Sequence, residues 1–197
     1  MTPAAILLCL VVGITDGDTL KVRCGGEGAY QQVSVRLAEV DAPEKAQPFG
    51  RRSRASLAAL CFGAVATVKP EKRDRYGRTV ARVECRGKDA SAEQARAGMA
   101  WYYVRYGTDT SVQALEGLAK GSRAGLWSDP LPVAPWDWRT AKRNRSTAFT
   151  GHPGALQDAS APSSWYRPIL LRPAQEPWHL LARPSEGHSL LRLASAR

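Results

Sequence analysis

Three acidic residues, Asp18, Asp41 and Glu44, stand where carboxylates could be brought together to bind a cation. Asp18 lies at a predicted hairpin turn, and the other two follow the third predicted strand. Carboxylates without cysteine or histidine donors beside them suit a hard, oxygen-seeking cation such as Ca²⁺. Each residue alone is typical of a turn, so the prediction of a metal site depends on the three occurring together.

Two arginines add a second kind of chemistry. Arg36 precedes Asp41 by five residues, and Arg78 ends a charged turn at residues 74–78. Two guanidinium groups with a cation between them can hold a phosphodiester and neutralise the charge of its pentacoordinate transition state. Each arginine alone is typical of a solvated surface charge. Together with the carboxylates, they indicate phosphoryl chemistry.

Five strands are predicted to position these residues, on the basis of alternating or β-branched side chains bounded by turn residues. They cover residues 10–14, 19–23, 33–37, 64–68 and 79–84. Asp16 and Gly17 are predicted to form a two-residue hairpin loop, in which Gly17 supplies a positive φ. A polar turn is predicted at residues 70–78.

Three helices are predicted at residues 47–61, 91–97 (with Ser91 as N-cap) and 113–123, and Leu126 and Trp127 are expected to pack behind the last of them. A helix after the third of five strands fits an α+β fold built on a five-stranded, OB-fold-like Greek-key barrel. The order does not fit a parallel α/β sheet, because strands and helices do not alternate regularly.

Composition limits the class of protein. The chain has 197 residues, a formal net charge of +10 and 44% hydrophobic residues, which excludes wholesale disorder. No apolar stretch approaches the roughly 20 residues needed to span a bilayer, so stable membrane insertion is not predicted. The positive charge favours a polyanionic partner, most commonly nucleic acid and next an anionic membrane surface, although many globular proteins are basic without such a role.

Three segments taken in order resemble the signatures of the thermonuclease (staphylococcal nuclease-like) family. They are residues 12–20 (VGITDGDTL), 35–44 (VRLAEVDAPE) and 74–78 (DRYGR). The resemblance extends over residues 10–130 and ends with GLWSD at residues 125–129. One such motif is moderately specific, whereas three in the same order are a strong signal.

The resemblance implies a role for each matching residue. Asp18 and Asp41 resemble the carboxylate ligands of Ca²⁺, and Ala42 stands where a backbone carbonyl is a further ligand and the family usually has threonine. Glu44 resembles the general base that activates water. The remaining matches are two phosphate-binding arginines, Arg36 and Arg78, and two tyrosines that contact the nucleotide, Tyr76 and Tyr106.

The implied activity is Ca²⁺-dependent hydrolysis of phosphodiester bonds in DNA, RNA or both, with little sequence specificity and 3′-phosphate products. Single strands are the expected substrate, because tyrosines can stack only on exposed bases, and a monomer is expected. The alternative is a non-catalytic nucleic-acid-binding module on the same barrel. The presence of all five charged site residues favours the enzyme.

Outside the domain at residues 10–130, three further segments are distinguished. Residues 1–9 are an apolar segment leading into the first strand, and no basic residue precedes their apolar run as in a signal peptide. Residues 131–139 are interpreted as a lid or connector. Residues 140–197 are interpreted as a flexible, basic tail containing proline and serine.

The four cysteines predict two disulfides. Cys9 and Cys24 face each other if the loop at Asp16 and Gly17 is correct, and Cys61 and Cys85 end a helix and a strand. Paired cysteines would place the protein in the periplasm or outside the cell. Four reduced, buried thiols in a cytoplasmic protein are the alternative.

Overall fold

The computed structural model describes residues 6–26 and 28–149. The strands are β1 (Leu7–Ile14), β2 (Thr19–Cys24), β3 (Gln31–Leu37), β4 (Val40–Asp41), β5 (Val65–Arg73), β6 (Thr79–Cys85), β7 (Lys88–Asp89) and β8 (Trp101–Tyr102). The helices are α1 (Gly50–Cys61), α2 (Ala90–Arg96), α3 (Thr110–Gly121) and α4 (Pro135–Phe149), with a 3₁₀ turn at Gly125–Ser128.

Five strands form a closed barrel. Strands β3, β2, β1, β5 and β6 are antiparallel neighbours in that order, and a parallel pair between β3 and β6 closes the ring. The two-residue β7 pairs antiparallel with the end of β6, while β4 pairs with β8 beside the barrel. Inward-facing apolar side chains fill the interior, among them Leu20, Val22, Val35, Leu37, Val68 and Val83. The predicted α+β fold with an OB-fold-like barrel is confirmed.

The β1–β2 loop differs from the predicted two-residue turn. Cys9 pairs with Cys24 as expected, but a β-bulge between Val11 and Gly13 shifts the register, and the loop covers residues 15–18. Gly17 does not adopt a positive φ. A Cβ at Gly17 would lie 1.7 Å from Ser53 Oγ, so a glycine is needed for close approach to α1 rather than for a left-handed turn.

The predicted polar turn at residues 70–78 is too long. Strand β5 continues through Pro70 to Arg73, and the register with β6 shifts between Pro70 and Lys72. Because proline has no N–H to donate, the bulge lets pairing continue on the far side of Pro70. The turn that remains is residues 74–78, with Gly77 at a φ of 77°.

The helix starts also differ. Asp89, not Ser91, caps α2 by accepting a hydrogen bond from the Ala92 N–H at 2.8 Å. Ser91 Oγ instead donates to the Ala38 carbonyl oxygen at 2.8 Å, which ties α2 to the end of β3. Helix α3 begins at Thr110, three residues earlier than predicted, with Asp109 as its cap.

Helix α4 is a fourth helix where about three were predicted. It begins within the predicted connector at residues 131–139 and includes residues 140–149, which the sequence predicts to be part of the flexible tail. Pro135 at its first position has the fixed φ that suits a helix start. The rest of the predicted tail, residues 150–197, lies outside the described residues. Within the described part of the chain, no helix is long and apolar enough to cross a membrane.

The cysteine sulfurs are paired as two disulfides. Cys9–Cys24 links β1 to β2, and Cys61–Cys85 links the end of α1 to the end of β6. All four side chains contact the hydrophobic core. Cys9 pairs with Ala66 and Ala66 pairs with Cys85, so the strand cysteines of both bridges lie in one transverse row of the sheet.

Candidate active site

A cavity of about 790 Å³ opens at one end of the barrel. Every residue predicted to act in catalysis, metal binding or nucleotide contact lines it: Asp18, Arg36, Asp41, Ala42, Glu44, Tyr76, Arg78 and Tyr106. These residues come from the β1–β2 loop, β3, β4 and the segment after it, the β5–β6 turn and the segment after β8. The barrel thus brings distant parts of the chain to one site.

Asp18 is held from two sides at the end of the β1–β2 loop. The Leu37 N–H donates to the Asp18 carbonyl oxygen at 2.8 Å, which fastens the loop to β3. Gln94, buried in α2, donates from Nε2 to the Gly17 carbonyl oxygen at 2.7 Å. These contacts position the Asp18 carboxylate before any ligand arrives.

The Asp18 carboxylate is buried and has three polar partners. Thr19 Oγ1 donates to Oδ1 at 2.8 Å, the Ala42 N–H donates to Oδ2 at 3.1 Å, and Arg36 Nη2 lies 3.2 Å from Oδ2. Burial alone would raise the pKa of Asp18, but the charge of Arg36 and the hydrogen bonds lower it below its ordinary value. Asp18 is therefore an anion in the folded protein.

Asp16 is the opposite case on the same loop. Burial and the neighbouring charge of Asp18 raise the pKa of Asp16 to about 7. Two carboxylates this close do not ionise together easily, so Asp16 keeps its proton to a higher pH than Asp18 does. Asp16 also lines the cavity, although the sequence suggested only a turn residue.

Arg36 bridges the two predicted metal ligands. Its Nη2 lies 2.8 Å from Asp41 Oδ1 as well as 3.2 Å from Asp18 Oδ2. Burial would lower the pKa of the guanidinium, but the charges of Asp18 and Asp41 raise it. The Tyr103 ring lies 5.5 Å from the guanidinium carbon, so Arg36 is held by an aromatic face as well as by carboxylates.

Asp41 and Glu44 meet a guanidinium that sequence reasoning missed, that of Arg139 on α4. Arg139 Nη2 lies 2.6 Å from Asp41 Oδ2, and Nη1 lies 2.7 Å from Glu44 Oε1. Burial raises the pKa of Asp41, and the hydrogen bonds from Arg139 work against that rise. Asp41 is almost fully buried, whereas the Glu44 side chain is 41% exposed.

Gln47 holds the turn that carries Glu44. Its Oε1 accepts a hydrogen bond from the Glu44 N–H at 3.1 Å, and its Nε2 donates to the Val133 carbonyl oxygen at 2.6 Å. One buried amide therefore joins the Glu44 turn to the segment that leads into α4. Gln47 therefore links the position of Glu44, the predicted base, to that of the predicted lid at residues 131–139.

Arg78 is positioned by the β5–β6 turn. Asp74 Oδ2 accepts from Arg78 Nε at 2.8 Å, and Thr19 Oγ1 lies 3.2 Å from Nη1. Burial acts to raise the pKa of Asp74, but the hydrogen bonds from Arg78 and the turn backbone lower it. The Tyr76 ring is 5.5 Å from the Arg78 guanidinium carbon, so an aromatic face stands beside this arginine.

A cluster of aromatic rings lies at the cavity, which Tyr103 and Tyr106 line. Tyr103 contacts Tyr106 edge to face at a centroid distance of 5.0 Å, and it stacks on Trp136 of α4 at 5.6 Å with an interplanar angle of 11°. Tyr103 and Trp136 were not predicted as site residues. A signal was present in the density of aromatic residues at 101–106 and 136–138, but spacing along the chain did not show that they meet.

The donor set fits a hard cation in its chemistry. Asp18, Asp41 and the Ala42 carbonyl would supply oxygen atoms, which Ca²⁺ prefers. In the part of the chain that the structure describes, no group of three or more acidic, histidine or cysteine side chains has the spacing of a metal site. At the candidate site, Arg36 and Arg139 contact the carboxylate oxygens of Asp41.

Comparison with known proteins gives a consistent assignment. Residues 34–129 match the family described as "Staphylococcal nuclease homologue". A micrococcal nuclease of Shigella flexneri is 41% identical over 145 residues, covering 68% of this chain and 81% of that relative. The protein named ParB of Escherichia coli is 41% identical over 146 residues, covering 68% of this chain and 80% of its own length.

An uncharacterized endonuclease of Escherichia coli O157:H7 is 41% identical over 133 residues, covering 67% of this chain and 84% of that relative. The matched family segment contains the predicted site residues from Arg36 to Tyr106, while Asp18 and Arg139 lie outside it. The fold, the three signature segments and these relatives agree. The chain belongs to the staphylococcal nuclease-like family and is a hydrolytic nuclease.

Proposed function

We propose that this nuclease is Ca²⁺-dependent, cleaves single-stranded DNA or RNA with little sequence preference and leaves 3′-phosphates. The observation that carries the proposal is the single cavity in which Asp18, Asp41 and Glu44 meet Arg36 and Arg78. Carboxylates for a cation, a carboxylate for a proton and arginines for a phosphate are the parts that phosphodiester hydrolysis requires.

In this mechanism Glu44 is the general base. Its carboxylate takes a proton from water as the water oxygen bonds to phosphorus and the bond to the 5′ oxygen breaks. The departing oxygen takes up a proton from solvent, and the phosphate remains on the 3′ side. Bound Ca²⁺ would polarise a phosphoryl oxygen from a position next to Asp18 and Asp41.

The arginines act on the phosphate. Arg36 and Arg78 each carry a planar guanidinium at the cavity, and both are held by neighbouring carboxylates and aromatic rings rather than by the substrate. Because the two guanidinium groups are preorganised, little reorganisation of the site is needed when negative charge develops on the phosphoryl oxygens. This supports their assignment to transition-state stabilisation.

The tyrosines support the choice of substrate. Tyr76 and Tyr106 are 69% and 55% exposed at the cavity rim, where bases could stack on them. Stacking on exposed rings tolerates any base but requires an unpaired one. Binding through the phosphate backbone further predicts affinity that falls with salt concentration.

The test is release of acid-soluble nucleotides from single-stranded DNA and RNA, with Ca²⁺ and with a chelator. The proposal expects activity that requires Ca²⁺ and products that a 3′-phosphatase can dephosphorylate. A binding module without catalysis would shift the polymer in a gel and leave it intact. Equal cleavage in chelator would contradict the Ca²⁺ requirement.

We further propose that the protein works as a monomer in the periplasm or outside the cell. The two disulfides within the barrel support an oxidising compartment. Thiol counting on denatured, unreduced protein from such a compartment is the check. No free thiols are expected, and four would contradict both bridges.

A further inference from the structure

Arg139 occupies an unusual place for an arginine outside the barrel. Its Nη2 lies 2.6 Å from Asp41 Oδ2, and its Nη1 lies 2.7 Å from Glu44 Oε1 and 3.3 Å from Asp41 Oδ1. One guanidinium thus lies between a predicted metal ligand and the predicted base. It neutralises both carboxylates from a helix that none of the signature segments includes.

The position of Arg139 does not depend on this ion pair alone. Trp136, one helical turn earlier, stacks on Tyr103 and contacts Trp101 edge to face at 5.7 Å. The Val133 carbonyl, just before α4, accepts a hydrogen bond from Gln47. Aromatic packing and a buried amide therefore bring the start of α4 to the cavity, which places Arg139 within reach of the carboxylates.

This arrangement conflicts with a bound cation. Ca²⁺ takes six to eight oxygen ligands at about 2.3–2.6 Å. The guanidinium nitrogens already lie at 2.6 and 2.7 Å from oxygens of Asp41 and Glu44, so they fill the space beside those oxygens. A divalent cation and this guanidinium would also repel each other across a partly buried site. Both cannot hold the same oxygens at once.

We propose that Arg139 is an internal competitor for the cation and sets the metal affinity of the site. In the metal-free protein its guanidinium holds Asp41 and Glu44, and it must leave them before Ca²⁺ binds. The apparent affinity for Ca²⁺ is then the intrinsic affinity multiplied by the fraction of molecules in which Arg139 has released these carboxylates. This inference rests on the proposed function, because it assumes that the cation binds at Asp41.

The test is isothermal titration of the full chain with Ca²⁺ in the absence of nucleic acid. Arg139→Gln should bind Ca²⁺ roughly tenfold more tightly than the wild type, in keeping with release of a competitor that is bound most of the time. Arg145→Gln is the matched control, because Arg145 is exposed on the same helix and its Nε contacts the Ala141 carbonyl of that helix. It should leave the dissociation constant within about twofold of the wild type.

A second variant separates direct contact from general charge. Arg139→Lys keeps the positive charge but loses the planar fork that reaches two carboxylates, since an ammonium is a point charge. Competition by contact predicts that this variant also binds Ca²⁺ more tightly than the wild type, by a smaller factor. Far-UV circular dichroism and tryptophan fluorescence, to which Trp136 contributes as one of six tryptophans, show that each variant folds like the wild type.

Two results would overturn the inference while leaving the proposed function intact. One is a Ca²⁺-dependent nuclease whose affinity for Ca²⁺ is the same in Arg139→Gln as in the wild type. The other is a gain in Ca²⁺ affinity that does not depend on the contact made by Arg139. Arg145→Gln would then gain as much affinity as Arg139→Gln, or Arg139→Lys would gain none, and either result would show a general charge effect. If neither the wild type nor Arg139→Gln binds Ca²⁺, the inference and the Ca²⁺ requirement both fail.

Discussion

The inner wall and the outer rim of the cavity are built in different ways. On the inner wall, Asp41 is 1% and Asp18 is 6% exposed, and their partners come from β3, the Ala42 segment and α4. On the rim, Tyr76 and Tyr106 are more than half exposed. Their contacts are largely with near neighbours in sequence, such as Arg75 with Tyr76 and Tyr103 with Tyr106.

This difference corresponds to two roles: the inner-wall groups act in catalysis, and the rim groups bind the substrate. Inner-wall groups are fixed by contacts between distant segments, so their geometry belongs to the folded barrel. Rim groups are placed by local turns and can adjust to a substrate of varied sequence. We therefore expect inner-wall substitutions to reduce kcat and rim substitutions to raise KM, and the predictions below test that division.

The largest effect is expected at Glu44. Glu44→Gln keeps the shape of the side chain and removes the proton acceptor, so kcat should fall by a factor on the order of 10² or more. Steady-state kinetics on single-stranded DNA measures it. Glu84→Gln, at an exposed position on β6, is the control and should be neutral. Near-normal turnover in Glu44→Gln would remove Glu44 from the mechanism.

Arg78 lies between the inner wall and the rim, so its substitution tests where the division between them falls. Arg78→Lys keeps the charge but cannot hold two phosphate oxygens while also bonding Asp74, so kcat should fall by roughly 10- to 100-fold. Arg86→Lys, on an exposed arginine past the far end of β6, should not change kcat. Full kcat in Arg78→Lys, with only KM raised, would assign Arg78 to the rim.

The pKa of Asp16 makes a prediction about stability. Because that pKa rises from 3.8 to about 7 on folding, the wild type loses stability as pH rises between those values. Asp16→Asn has no proton to lose, so with chelator present it should gain about 1–2 kcal/mol on the wild type at pH 8 relative to pH 4. Urea unfolding at both values measures this gain. An equal difference at the two values would contradict the raised pKa.

The smallest effect is expected on the rim. Tyr106→Ala removes a stacking surface and should raise KM for single-stranded DNA roughly fivefold or more, with kcat nearly unchanged. Tyr30→Ala is the control, because Tyr30 is 53% exposed and does not line the cavity. A loss in kcat as large as that of Arg78→Lys would break the division between wall and rim.

The fold was predictable because it depends on local patterns. Alternation along β3 and the opposition of Cys9 and Cys24 follow from strand periodicity. The bulge between Val11 and Gly13 was not predictable in the same way, because strand alternation does not show where a strand takes in an extra residue. The predicted pairing of Cys9 with Cys24 is therefore correct, although the predicted two-residue turn is wrong.

The candidate site was predictable where motifs carry it and not elsewhere. The signature segments contain Asp18, Arg36, Asp41, Glu44 and Arg78, which all line the cavity. Arg139 belongs to a segment with no clear periodicity, and its contacts with Asp41 and Glu44 join residues far apart in sequence. A single sequence gives no information about such a contact, because it depends on where α4 docks.

The parallel pair that closes the barrel has a consequence for folding. Arg36 lies within this pair, in register with Val80, and Arg78 immediately precedes the paired segment of β6. Pairing of segments so far apart in sequence loses more chain entropy than formation of a hairpin, so it tends to come late. In a protein molecule in which the β3–β6 pair is open, Arg36 and Arg78 are separated from each other. We therefore expect a partly folded chain in which β3 and β6 are unpaired to lack nuclease activity.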